Sequence, residues 1–82
     1  MKKYSDISEE FIEEQYTLIS RNIKKIRKEK KITQEELALA MGFTTATFYT
    51  NAENCTQGKH FNLEHLIKLS VLLNVNIQEF LL

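Results

Sequence analysis

The side chains able to do chemistry are few. Cys55 is the only cysteine, so neither an intramolecular disulfide nor a cysteine-based zinc site can form. His60 and His65 lie five residues apart, off any single helical face, and no cluster of carboxylates or thiols accompanies them. No metal site is expected. No nucleophile, base and oxyanion donor can be assembled from the remainder, so neither enzymatic activity, a cofactor nor a small-molecule ligand is expected. What is left is charge. Residues 20–31 carry Arg21, Lys24, Lys25, Arg27, Lys28, Lys30 and Lys31 against Glu29 alone, in a chain of zero net charge. Residues 1–19 are acidic, with Asp6, Glu9, Glu10, Glu13 and Glu14 against Lys2 and Lys3. Acids at the start and bases at the end of a helix suit its macrodipole. The same basic run is also a patch able to hold an anion.

The elements that position these groups are helices. Eighty-two residues with no Pro and two Gly leave almost no turn chemistry for a β-sandwich or barrel. Hydrophobic residues at 43% and charged residues at 27% exclude wholesale disorder. The start Met-Lys-Lys runs at once into Ser-Asp-Ile-Ser-Glu-Glu with no apolar core of a leader, and no long apolar run follows. A cytoplasmic protein is expected. Ser8 is a candidate N-cap, followed by Ile12, Tyr16, Ile19, Ile23 and Ile26 at spacings of four and three. That stripe fits one helix from about residue 9 to 30, or two broken near Thr17–Ser20.

Thr33-Gln34-Glu35-Glu36 forms a capping box, with Ile32 and Leu37 as its hydrophobic staple. Leu37, Ala38 and Met41 make the buried face of a short helix that Gly42 ends, since a left-handed residue there costs glycine nothing. A further helix starts at about Thr44, with Phe43 and Phe48 as staple. This spacing is that of a helix-turn-helix. Asn62 caps a helix through about Leu73 that is apolar nearly all round and so reads as central to the core. Asn74 is the expected left-handed residue after it. Asn76 and Glu79 resemble another capping box, with Val75 and Phe80 as staple.

The run Ile23-Lys24-Lys25-Ile26-Arg27, then Ile32-Thr33-Gln34-Glu35-Glu36-Leu37-Ala38, Met41-Gly42, Leu66 with Leu69, Leu73-Asn74-Val75 and Phe80-Leu81 resembles the Cro/phage-repressor-type (Xre-like) helix-turn-helix family. The resemblance covers about residues 20–82. It implies an all-α, five-helix, repressor-like DNA-binding domain over 20–82, to which residues 1–19 add a helical extension. It further implies that the helix starting at Thr45 is the recognition helix. By motif position, Thr44, Thr45, Ala46, Thr47, Tyr49 and Thr50 would face the major groove. Gln34, Lys59 and His60 would contact phosphates. Arg27 occupies a basic position that pairs with a recognition-helix glutamate in the family. At the matching position stands Ala52, with Glu53 one residue later, and a packed face of Phe48, Ala52 and Cys55 is expected instead.

Residues 44–57 contain no Lys or Arg, so no side chain there can make the two-pronged arginine–guanine contact. Thr methyls and Ala46 can touch thymine methyls, and the readout leans towards A·T pairs. Two functions follow. One is a sequence-specific transcriptional regulator, a homodimer on a palindromic stretch of double-stranded DNA. The other is a helix-turn-helix fold serving as a protein-interaction module, such as an antitoxin, anti-repressor or adaptor with a protein partner. The dimer contact would come from the extension, with Phe11, Ile12, Tyr16, Leu18 and Ile19, or from Phe80–Leu82. The abundance of Lys, Ile and Asn suggests an A·T-rich bacterial or phage genome.

Overall fold

The computed structural model describes residues 3–82. Four α-helices run in the order α1 (Glu9–Glu29), α2 (Gln34–Ala40), α3 (Thr47–Asn54) and α4 (Leu63–Leu72). Short 3-10 turns stand at Tyr4–Asp6 and at Ile77–Phe80, the second where a fifth helix was expected. The expected count of five is therefore four. Asn76 accepts from the Gln78 amide at 3.0 Å, but Glu79 does not reach back, so the second capping signal yields only a 3-10 turn.

The two readings of residues 9–30 resolve to one helix. Ser8 accepts from the Phe11 amide at 3.1 Å and caps it. Nothing around Thr17–Ser20 breaks it, because Ser20 turns inward and donates to the Ala52 carbonyl at 3.0 Å. The capping box at Thr33 forms as read, with the Glu36 amide donating to Oγ1 at 3.1 Å. At Asn62 the box is closed by His65, whose Nδ1 accepts from the Asn62 amide at 3.0 Å.

All four helices end in the same way, on a left-handed residue followed by an amide that bonds back five residues. The pairs are Ile32 to Arg27, Phe43 to Ala38, Thr56 to Asn51 and Val75 to Ser70. This is the Schellman motif. Gly42 and Asn74 take the left-handed position as their types predict, whereas Lys31 and Cys55 do so without that preference.

The core is built from Ile23 of α1, Leu37 of α2, Tyr49 of α3, Leu69 of α4, Leu73 and Phe80, each at most 2% exposed. The expectation for α4 needs correcting. Leu66 and Leu69 are buried, but Leu63, Ile67 and Val71, one turn apart, are 67%, 52% and 74% exposed. A domain this small has too few neighbours to cover a helix on every side. Phe80 is likewise no surface residue. It is fully buried, and Asn22 of α1 donates to the carbonyls of Phe80 and Leu82 at 3.0 and 2.9 Å, tying the last turn down.

Ile7, just ahead of α1, and Phe11 and Ile12 in its first turns are exposed. Tyr16 and Ile19 do belong to the domain. Tyr16 stacks on His60 with ring centroids 3.7 Å apart, and Ile19 packs against the core.

Candidate nucleic-acid interface

The orientation of α3 is set by one buried ionic network. Arg27 of α1 donates from Nε and Nη2 to both oxygens of Glu53, each at 2.9 Å, and from Nη1 to the Ile32 carbonyl at 2.8 Å. The Tyr49 hydroxyl donates to Glu53 at 2.6 Å, and the Gln34 amide donates to it at 3.0 Å. Thr50 then donates to the Gln34 carbonyl oxygen at 3.1 Å. Helices α1, α2 and α3 are thus pinned through one carboxylate. Burial alone would raise the Glu53 pKa, but the hydrogen bonds from Arg27, Tyr49 and Gln34 outweigh it and hold the carboxyl below its ordinary range. The bond to Glu53 keeps Arg27 firmly protonated. Burial, with the bond to Glu53, pushes the Tyr49 hydroxyl well above its ordinary value.

This network corrects two expectations. The arginine does pair with a recognition-helix glutamate, but the partner is Glu53, and the buried face of α3 is Tyr49, Ala52 and Glu53. Phe48 and Cys55 are only half-buried. Tyr49 is 0% exposed and packs against Phe61, so it cannot meet a groove. Gln34 braces α3 against α2 through one Nε2–H to Glu53 and through its carbonyl oxygen, which accepts from Thr50.

The remaining expected residues divide by environment. Thr44, Thr45 and Thr47 are exposed and, with Asn51 and Lys59, line an open groove of about 410 Å³. Helix α3 starts at Thr47, later than Thr45, and the Thr47 amide donates to the Thr45 hydroxyl at 3.4 Å. Ala46 is half-buried and packs against the core. Thr50 is half-buried at the edge of the network, and His60 is engaged by Tyr16.

Two further residues share the outer side of α3 with Thr47 and Thr50. Taking Thr47 as the start, positions 47, 50, 51 and 54 form the outer face of α3, which adds Asn51 and Asn54. Asn51 accepts from the Thr56 hydroxyl at 3.0 Å, and its amide nitrogen remains free to donate. An asparagine so placed can engage the N6 and N7 edge of adenine, and the threonines can donate, accept or touch a thymine methyl.

A Helix-turn-helix family model matches residues 23–80. The chain belongs to this helix-turn-helix family, of the Cro/phage-repressor type, which is a family of DNA-binding regulatory domains. No curated protein and no solved structure matches it. Among the described residues, no helix is long and apolar enough to cross a membrane, and no cluster of three or more His, Cys, Asp or Glu side chains could hold a metal ion.

Protonation of His65 and Glu53 makes stability depend on pH. Burial holds His65 below its ordinary 6.5, and its Nδ1 must stay unprotonated to accept from Asn62. A lowered folded pKa stabilises the fold above the unfolded value and loses that contribution as pH falls. Stability should therefore drop first below about pH 6.5, through His65, and again below about 4.5, through Glu53. Urea midpoints measured across pH 3–8 should show both steps, and His65→Gln should remove the first.

Proposed function

We propose that this protein is a sequence-specific DNA-binding transcriptional regulator that acts as a homodimer on a palindromic operator. The observation that carries the reading is the outer face of α3. It is polar and uncharged, with Thr47 and Asn54 exposed and Thr50 and Asn51 half-buried, and it stands on a helix whose orientation is fixed by the buried Arg27–Glu53 pair. Thr44, Thr45, Thr47, Asn51 and Asn54 address base edges, while Lys59, in the same groove, takes a phosphate. Phosphate contacts orient such a domain and base contacts specify the sequence. Gln34 and Tyr49 act behind this face, as braces. With no Arg–guanine contact available from α3, the preferred sites are A·T-leaning.

The test is selection from random duplexes at several salt concentrations, with the bound fraction sequenced. An enriched palindrome is expected, with log K falling by about 0.9 per neutralised phosphate as log salt rises. Asn51→Ala should relax preference at one base pair per half-site, a loss of about 1–3 kcal/mol of discrimination. Lys59→Ala should weaken binding to all sequences alike and reduce the salt slope by about one. A second reading, the protein-interaction module, is favoured by the absence of Lys and Arg from residues 44–57. Salt-steep binding without any enriched motif would support it and sink the first.

A further inference from the structure

The lateral face of α1 carries a charge pattern that no ion pair among the described residues uses. Glu10, Glu14, Thr17, Arg21, Lys24 and Lys28 recur at spacings of 4, 3, 4, 3 and 4, which places them on one face of the helix. The first two are acids and the last three are bases. Among the described residues the salt bridges are Arg27–Glu53 and Glu64–Lys68, and neither involves any of these charges. The helix macrodipole does not account for the arrangement. It acts within the terminal turns, whereas Glu14, Arg21 and Lys24 lie deeper in the helix.

The pattern has a centre. Glu10 and Lys28, Glu14 and Lys24, and Thr17 and Arg21 are each symmetric about position 19. A face with that property is complementary to itself turned end for end. At its middle, Glu13, Glu14, Thr17, Leu18 and Arg21 line an open groove of about 360 Å³. The geometry points to a second copy of this chain as the occupant, its α1 antiparallel to the first. Glu10 and Glu14 of each protomer meet Lys28 and Lys24 of the other, and the two Leu18 side chains lie beside the two-fold axis. This rests on the homodimer reading and names its surface.

The placement is compatible with reading one duplex. Ser20 and Arg27, the residues of α1 that bond to α3, lie roughly a quarter turn, about 100°, from the charged stripe. In an antiparallel pair the two-fold axis is perpendicular to the line joining the helices. Groups a quarter turn from the contact therefore emerge on the same side of the pair. Both copies of α3 face one way.

Sedimentation equilibrium at low salt and at about 0.5 M salt tests the surface, because exposed ion pairs are screened over the shorter Debye length. The wild-type dimer should weaken as salt rises. Glu14→Lys and Lys24→Glu should each weaken it about tenfold or more at low salt, since the symmetric contact is reversed twice in each dimer. An equimolar mixture of the two variants should regain wild-type association, because the mixed pair restores both contacts. That rescue also excludes misfolding as the cause. If each variant dimerises as tightly as wild type, the proposal fails while the homodimer stands, with the exposed Leu63, Ile67 and Val71 face of α4 as the next surface to test. If the singles weaken and the mixture does not recover, the proposal fails as well. A wild-type chain that stays monomeric at all concentrations overturns both it and the homodimer reading.

Discussion

Replacing Arg27 with alanine should destabilise the domain by about 3–5 kcal/mol, a large part of the 5–15 kcal/mol that a small domain holds. The reason lies in what is left behind. Glu53 is 4% exposed and accepts two hydrogen bonds from Arg27, so removing the guanidinium leaves a buried carboxylate with only Tyr49 and Gln34 as donors. That group must then either stay charged without its counter-ion or take up a proton. The second course predicts an acid limb shifted to higher pH. Chemical denaturation of Arg27→Ala beside wild type measures both effects. The double change Arg27→Met with Glu53→Gln removes the charges together and should be more stable than Arg27→Ala, because the two positions share one network and their effects do not add. A functional consequence follows. The pair joins α1 to α3, so DNA affinity should fall even where Arg27→Ala is still folded, while binding by the double variant partly recovers.

How much of this was legible in the sequence depends on the range of the forces involved. The caps at Ser8, Thr33 and Asn62 and the left-handed Gly42 and Asn74 are decided within four or five residues, and each forms as its residue types require. The left-handed Lys31 and Cys55 were not legible, because the Schellman bonds impose that conformation on residues with no preference for it. The rotation of α3 was misread for a reason of longer range. Its apolar residues alone suggest Phe48, Ala52 and Cys55 as the inner face. Arg27, 26 positions earlier, draws Glu53 inward and brings Tyr49 with it. That turns Asn51 and Asn54 outward, although residue type alone gave no reason to choose them. The face that α3 presents follows from an ionic pairing, which hydrophobic periodicity does not record. For α4 the error ran the other way: its pattern is apolar all round, but only the neighbours present could bury it.

Phe80→Ala should also cost about 3–5 kcal/mol, the usual loss for deleting a buried aromatic ring. Its position at the end of the chain makes the result informative. A residue of the Phe80–Leu82 segment acting at a dimer contact would, when truncated, raise the dissociation constant of the dimer and leave the monomer stable. A residue of the core would lower stability at every protein concentration. The structure assigns Phe80 to the second class, since the ring is 0% exposed and belongs to the same cluster as Ile23 and Leu73. The two bonds from Asn22 to the Phe80 and Leu82 carbonyls hold the turn against α1, but they cannot refill the space of the lost ring. Leu81 and Leu82, at 53% and 78% exposed, should each change stability by no more than about 0.5 kcal/mol when truncated. Thermal unfolding at two protein concentrations distinguishes the cases. At about 4–8 °C per kcal/mol for a domain of this size, Phe80→Ala should lower Tm by more than 10 °C at both concentrations, with Leu81→Ala close to wild type. A drop confined to the lower concentration would place the ring in an interface and move the dimer contact from α1 to the C-terminal turn.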